Sequence, residues 1–216
     1  MSNKTRKNQL GGLVSEAQME VHSSETARLW SPRKGSKAPT MGQFFKHVAT
    51  LELAAKQDDP YADFALLEIE QKMNEAFTLY TEQMAQLPAL VSSRIRFSEA
   101  QSRQPLTKAL HVRSRFGWRM VSLLEMYDVL MVRLVDAQFK AQLSRQQFET
   151  QKHVSVKKMH GLLSYSMSLP HSGITRQDVA ANNAKAMEAH DKFGAIPLEV
   201  MEGIERAEFA PEIRVG

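Results

Sequence analysis

The sequence predicts a mainly helical protein that contains a short β-ribbon. Long stretches repeat apolar residues at spacings of three and four, which is typical of amphipathic helices. Two short stretches instead alternate apolar and polar residues, which is the period of a strand with one buried face. The chain has 216 residues, is 43% hydrophobic and includes 12 methionines. This composition indicates a sizeable and adaptable helical core.

Capping signals mark where the predicted helices begin. Thr40 opens a capping box before a helix that should reach about Lys56. Asp59 can cap the next helix, with Pro60 at its first position, and this helix should end before Pro88. Further helices are predicted at 26–30, 118–143, 144–170 and 175–193, with a short one opened by Pro197.

The stretch 106–116 is the stronger of the two candidate strands. Apolar residues occupy even positions, namely Leu106, Leu110, Val112 and Phe116. The odd positions hold Thr107, Ala109, His111, Arg113 and Arg115, so the exposed face should be basic. Gly117 should then break the strand before the long apolar helix.

The second candidate strand lies at 13–23 and differs in its charge. Its exposed face carries Glu16 and Glu20, which DNA phosphates would repel. The sequence leaves open which of the two strands forms the ribbon. We expect replacements of Glu16 and Glu20 to have little effect on DNA binding.

The distribution of charge favours nucleic-acid binding over other functions. The net charge is +4, and residues 92–160 contain 13 lysines and arginines but five acidic residues. A basic strand that leads into a helix is suited to reading DNA, although an edge strand with ordinary solvated charges is the simpler alternative. The candidate DNA-binding residues are Thr107, Lys108, His111, Arg113, Arg115, Arg119, Ser144 and Arg145.

The sequence shows no signature of catalysis, of a metal site or of a membrane span. Motifs such as HExxH, GxxxxGK[ST] and GxSxG do not occur, and the pair Asp58–Asp59 is better explained by helix capping. Without cysteine, disulfides and thiolate metal sites are excluded. No apolar run approaches the roughly 20 residues that a membrane-spanning helix needs. We therefore expect a cytoplasmic protein that is not an enzyme and has no cofactor.

Several stretches between about residue 58 and residue 211 share a family pattern. They are 58–63 (DDPYAD), 66–70 (LLEIE), 173–178 (GITRQD), 182–186 (NNAKA), 194–197 (GAIP) and 209–211 (FAP). In these stretches the chain resembles the AcaB-like transcriptional regulators of integrating conjugative elements and conjugative plasmids. The resemblance implies a DNA-binding activator of conjugative-transfer genes, with a fold similar to ribbon-helix-helix proteins.

The order of the predicted elements fits this implication. Residues 1–9 should form a disordered basic tail, and residues 10–216 a single mostly helical domain with a ribbon-helix-helix-like unit at about 105–168 and additional helices. In that geometry two protomers pair their strands, and the ribbon enters the major groove of double-stranded DNA. The expected partners are DNA and a second copy of the chain, with RNA polymerase as a further candidate. The alternative function is a non-DNA-binding structural or adaptor protein of the conjugation machinery.

Overall fold

The computed structural model describes residues 17–87, 94 and 97–214. In these residues eight helices accompany two strands, so the expectation of a mainly helical chain with a short antiparallel sheet is confirmed. The elements are β1 (Ala17–Val21), α1 (Ser24–Trp30), α2 (Met41–Lys56), α3 (Pro60–Gln86), β2 (Leu106–Leu110), α4 (Arg115–Phe139), α5 (Arg145–Ser168), α6 (Arg176–Ala180), α7 (Ala184–Phe193) and α8 (Leu198–Met201). None of the described helices is long and apolar enough to cross a membrane.

The predicted caps stabilise the starts of the long helices. Thr40 and Ser144 each form a capping box, at the starts of α2 and α5. The Asp59 carboxylate accepts hydrogen bonds from two backbone N–H groups in the first turn of α3, at 2.9 and 3.2 Å. These contacts satisfy amides that have no partner inside a helix.

The core lies between α2, α3, α4 and α5. Its largest completely buried side chains include aromatic residues from three of these helices, namely Phe44, Tyr80, Phe116 and Tyr127. α4 buries eleven residues distributed over more than one face, which agrees with the long apolar helix predicted after Gly117. Burial of this apolar surface drives the packing of the four helices.

The two candidate strands are partners of one another. β1 and β2 pair antiparallel, with Ala17 opposite Leu110 and Val21 opposite Leu106. Asp128, a buried residue of α4, holds one end of this ribbon. Its carboxylate accepts hydrogen bonds from the backbone N–H groups of His22 and Ser23, at 2.9 and 3.0 Å. The ribbon is therefore attached to the middle of α4.

The prediction that β2 continues to residue 116 was wrong. The strand ends at Leu110, and α4 begins at Arg115, where the Ser114 hydroxyl accepts a hydrogen bond from the Gly117 N–H at 2.9 Å. Gly117 lies in the first turn of α4, and a Cβ at this position would be 2.6 Å from a methyl group of Val112. Glycine is thus required for the loop to pack against the helix.

Two other predicted elements differ in extent. The predicted helix at 175–193 is divided into α6 and α7, because Asn182 adopts a positive φ of 45° and Asn183 then caps α7. Thr175 and Gly194 nevertheless lie at the predicted ends of this region. Within the described residues the first strand covers 17–21 and ends before His22, whereas residues 13–16 of the predicted strand and the predicted basic tail at 1–9 lie outside the described part of the chain.

Buried charges attach the C-terminal region to α3. The Asp63 carboxylate is completely buried and accepts hydrogen bonds from Arg176 at 2.7 Å and from Arg206 at 2.8 and 2.9 Å. Arg176 also forms an ion pair with Asp58 at 2.6 Å. We refer to Asp58, Asp63, Arg176 and Arg206 as the carboxylate clamp. It joins the start of α3 to residues more than a hundred positions away.

Asp59 connects the same region through its second carboxylate oxygen. That oxygen accepts hydrogen bonds from the backbone N–H groups of Ser172 and Gly173, at 2.7 Å each. The capping role expected for Asp59 is therefore confirmed, and the carboxylate also holds the chain that follows α5. Asp58 instead adopts a positive φ of 69° and pairs with Arg176.

Candidate nucleic-acid interface

The outer face of the ribbon is not basic. Its exposed residues are Gln18, Glu20, Thr107 and Ala109, and the Cα atoms of Glu20 and Thr107 form a cross-strand pair. The exposure predicted for Thr107 is confirmed, but an acidic residue lies directly beside it. Lys108 lies on the other face, opposite Met19, where it is half-buried.

The basic residues predicted for the strand lie beyond its end. His111 and Arg113 are exposed in the loop after β2, and Arg115 is the exposed first residue of α4. Residues 103–115 thus form a basic segment that adjoins the ribbon. In the described part of the chain, Arg103, Lys108, Arg113 and Arg115 make no ion pair within 4 Å. Their charges are available to an external anion.

Glu52 of α2 lies at the start of α4, close to the basic segment. Its carboxylate accepts a hydrogen bond from the Phe116 N–H at 2.9 Å, which satisfies a free amide in the first helical turn. Burial raises the pKa of this carboxyl above its ordinary value, although the nearby Arg115 and the helix amides favour its charged form. Glu52 is therefore a capping residue that also faces one cation of the segment.

Ser144 and Arg145 lie apart from the basic segment in the single chain. They are exposed at the start of α5, as predicted, but α4 separates them from Arg115. The 25 residues of α4 give a helix of roughly 37 Å at a rise of 1.5 Å per residue. One chain therefore presents two separate candidate contact regions for DNA.

Arg119 is engaged inside the molecule. Its guanidinium donates a hydrogen bond to Asn74 of α3 and lies over the Phe209 ring, 4.7 Å from the ring centroid. It also approaches the Phe77 ring at 5.8 Å. These contacts attach the C-terminal segment to α3 and α4, so the structure does not bring Arg119 together with the other candidate residues.

Much of the positive charge on α5 is neutralised by acidic residues of other helices. Lys152 pairs with Glu25 of α1 at 2.7 Å, and Lys158 pairs with Glu75 of α3 at 2.6 Å. Lys157 remains exposed, and no described residue forms an ion pair with it. The excess of cations in the sequence therefore overstates the free positive charge of this helix.

Sequence reasoning missed the residues that position the ribbon and the C-terminal region. Asp128 accompanies Glu125 in an otherwise apolar part of α4, and acidic residues at such a place were the available signal. The partners of Asp63 lie far along the chain, in α6 and after α8. For Arg176 the only signal was that 58–63 and 173–178 belong to the stretches that carry the family resemblance, and Arg206 lies outside those stretches. Among the described residues, no group of three histidine or acidic side chains could hold a metal ion.

Comparisons with known proteins agree with this architecture. The family model described as transcriptional regulator AcaB matches residues 9–214. The crystal structure of selenomethionine-containing AcaB from uropathogenic E. coli is similar, with a TM-score of 0.60 and 11% sequence identity. The similarity covers 88% of this chain and 95% of that chain, and at this identity it shows a shared fold. A search of curated proteins found no match.

The match to the family model spans nearly the whole chain, from before β1 to the end of the described residues. It includes both strands of the ribbon, the four core helices and every member of the carboxylate clamp. The chain belongs to the AcaB family of transcriptional regulators.

Proposed function

We propose that this protein is a homodimeric transcription activator that binds specific DNA sequences and controls conjugative-transfer genes. The observation that carries the proposal is the basic segment 103–115, where exposed cations without ion pairs adjoin the ribbon. Neutralising phosphates with such residues supplies much of the affinity of proteins for DNA. Membership in a transcriptional-regulator family supports the same function.

We further propose that β2, α4 and α5 act as a ribbon-helix-helix-like unit. In the described part of the chain β2 pairs with β1 alone, so one edge of β2 can receive another strand. Antiparallel pairing with β2 of a second copy would create a four-stranded sheet across a two-fold axis. An edge strand with unpaired backbone groups favours such an addition.

Exposed apolar side chains close to the ribbon support a dimer. Leu106, at the start of β2, is half exposed, and Val129 of α4 lines a cavity together with Glu20 and His22 of the β1 region. Farther along α4, the Phe139 side chain is 88% exposed. A contiguous exposed apolar patch is typical of an interaction surface, and in this proposal these residues contribute to one.

In this proposal the candidate residues contribute in different ways. Thr107 faces the DNA from the outer face of the ribbon, and Arg113 reads a base edge from the adjoining loop. Arg115 and Arg145 contact phosphates, and for Arg145 the N-terminus of α5 also favours an anion, whereas the first amides of α4 are already bonded to Glu52 and Ser114. We do not include Arg119, because its guanidinium is held by Asn74 and Phe209.

Fluorescence anisotropy with labelled DNA from upstream of transfer genes tests the proposal. Arg113→Ala should weaken binding to the specific sequence by about 1–3 kcal/mol and reduce the preference over unrelated DNA, because an arginine can bond two acceptors of guanine. Arg145→Ala should weaken binding to all sequences similarly and lower the slope of log affinity against log salt by about one.

Lys185→Ala provides the matched control, because Lys185 is an exposed lysine of α7, outside both candidate contact regions. It should change neither the affinity nor the salt dependence. The absence of saturable binding with a steep salt slope would contradict the proposal, and it is the result expected of an adaptor that does not bind DNA.

A further inference from the structure

A cavity of about 210 Å³ lies between α1, α4 and α5. It involves none of the candidate DNA-binding residues. Its lining residues are Glu25, Arg28, Tyr127, Glu149, Lys152, His153, Val156 and His160. This volume greatly exceeds the space that a single water molecule needs, and seven of the eight lining residues carry a polar group on a wall that is otherwise largely apolar. The cavity is therefore suited to a small polar molecule.

Tyr127 provides an unusual feature in the wall of this cavity. Its side chain is completely buried, and its hydroxyl has no hydrogen-bond partner. The adjacent Tyr80, whose ring centroid is 5.5 Å away, instead donates a hydrogen bond to the Ser155 carbonyl at 3.1 Å. Buried hydroxyl groups are normally satisfied, because an unpaired one destabilises the folded state. Burial raises the pKa of Tyr127, so its hydroxyl keeps the proton that it can donate.

The charged residues that line the cavity are not all held in close ion pairs with one another. Lys152 and Glu25 form a close ion pair at 2.7 Å, whereas Arg28 approaches Glu25 only to 3.9 Å and its side chain is 47% exposed. Glu149 is exposed and forms no ion pair with any described residue. The Glu149 carboxylate is thus free to bind a ligand, and Arg28, which is half exposed and held by one long ion pair, can turn toward a ligand that enters the cavity.

We infer that this cavity binds a small zwitterion of amino-acid chemistry. Its carboxylate would bond to the Arg28 guanidinium, whose planar donors match a carboxylate, and to the Tyr127 hydroxyl, which is buried and becomes accessible only when the side chains over it move. Its ammonium group would face Glu149, and its side chain would contact Val156. The lining carries two acidic residues and two permanently charged basic residues, which favours a ligand with both signs of charge over a polyanion or a polycation.

The position of the cavity connects ligand binding to the ribbon. Tyr127 is followed by Asp128, whose carboxylate holds the end of β1 through His22 and Ser23. Glu25 and Arg28 belong to α1, which directly follows that end of the ribbon. A bound amino acid would therefore favour one placement of the ribbon. This regulatory role rests on the proposed DNA-binding function, whereas ligand binding itself does not.

Thermal unfolding and calorimetry of the full chain, without DNA, test the inference. The probes are the twenty proteinogenic L-amino acids, together with succinate, which carries carboxylates only, and putrescine, which carries ammonium groups only. At least one amino acid should bind saturably and raise Tm, because a ligand that binds only the native state stabilises it. Binding of none of the amino acids, or equal binding of succinate or putrescine, would overturn the inference.

Two tyrosine variants separate a binding role from a structural one. Tyr127→Phe should raise the Tm of the ligand-free protein, because it removes an unsatisfied hydroxyl, and should weaken binding of the amino acid about tenfold. The control Tyr80→Phe should lower Tm, because its hydrogen bond is lost, and leave the affinity unchanged. Arg28→Ala should abolish binding. If Tyr127→Phe and Arg28→Ala both leave the affinity unchanged, the ligand does not occupy this cavity.

Measurements with DNA distinguish failure of this inference from failure of the proposed function. Loss of DNA binding with intact amino-acid binding would contradict the proposed function alone. Intact DNA binding without any bound amino acid would contradict the ligand site alone. If the protein binds both DNA and an amino acid, the amino acid should change the affinity for DNA at least twofold. The Arg28→Ala variant should not show this change.

Discussion

The position of Glu20 changes what we expect of the first strand. Its carboxylate is exposed beside Thr107, on the outer face of the ribbon. If that face approaches DNA, Glu20→Gln should strengthen binding about two- to fivefold at low salt, because it removes one repulsive surface charge. The gain should shrink as salt screens the interaction.

Anisotropy at two salt concentrations measures this effect. Glu188→Gln is the matched control, because Glu188 is an exposed glutamate on α7, away from the ribbon. An unchanged affinity in Glu20→Gln, together with a loss in Arg113→Ala, would place DNA against the loop and not against the outer face of the ribbon.

At the residue scale, the sequence predicted exposure better than it predicted partners. Alternation correctly indicated that Thr107 is exposed, and Arg113 and Arg115 are also exposed, although they lie outside the strand. Arg119 could not be assigned correctly, because Asn74 and Phe209 approach it from distant parts of the chain. Side-chain partners that meet only in the folded molecule leave no periodic signal in the sequence.

At the element scale, the carboxylate clamp should determine whether the C-terminal helices stay attached to α3. Asp63→Ala would remove the shared carboxylate, so that Arg206 loses its acidic partner while Arg176 keeps Asp58. We expect the free energy of unfolding to fall by about 3–5 kcal/mol, because removal of one member of a buried ion pair leaves uncompensated charge. Urea unfolding measures the loss.

Asp191→Ala is the control for the clamp, because the Asp191 side chain is 87% exposed and its change should stay within about 0.5 kcal/mol. A loss of less than about 1 kcal/mol in Asp63→Ala would show that the arginines find other partners. In that case the C-terminal helices are held mainly by apolar contacts.

The starts of helices were predictable from the sequence where the capping residue lies next to the helix that it caps. Thr40, Asp59 and Ser144 mark helix starts within a few residues of sequence, and all three were correct. The overlong strand at 106–116 arose because Val112 packs against Gly117 and Phe116 lies in the core, so a loop and a helical turn reproduced the period of a strand. Alternation alone cannot distinguish these cases.

At the scale of the whole molecule, we expect a dimer in solution. Sedimentation at micromolar concentration should give twice the chain mass. Phe139→Glu should weaken the dimer at least about tenfold, because burying the new carboxylate in an interface would cost several kcal/mol. Ile204→Glu is the control, because Ile204 is 74% exposed after α8, away from the ribbon.

The opposite result for these two variants would place the dimer interface elsewhere on the molecule. If Ile204→Glu dissociates the dimer and Phe139→Glu does not, the copies associate through the C-terminal helices. A monomer in the unmodified protein would contradict the pairing of two ribbons. The sequence indicated unusual apolar surface on α4, but the side of the helix left uncovered depends on how α3 and α5 pack against it.

The pairing of β1 with β2 also has a consequence for the order of events during synthesis. The two strands are separated in the chain by α1, α2 and α3, and the anchor from Ser23 to Asp128 closes a loop of 105 positions. Closing so long a loop carries a large entropic cost before any contact compensates it, and such contacts slow folding. A ribosome must therefore synthesise the chain through Asp128 before the ribbon has its anchor, so shorter chains lack the anchored ribbon on which our proposed DNA interface depends.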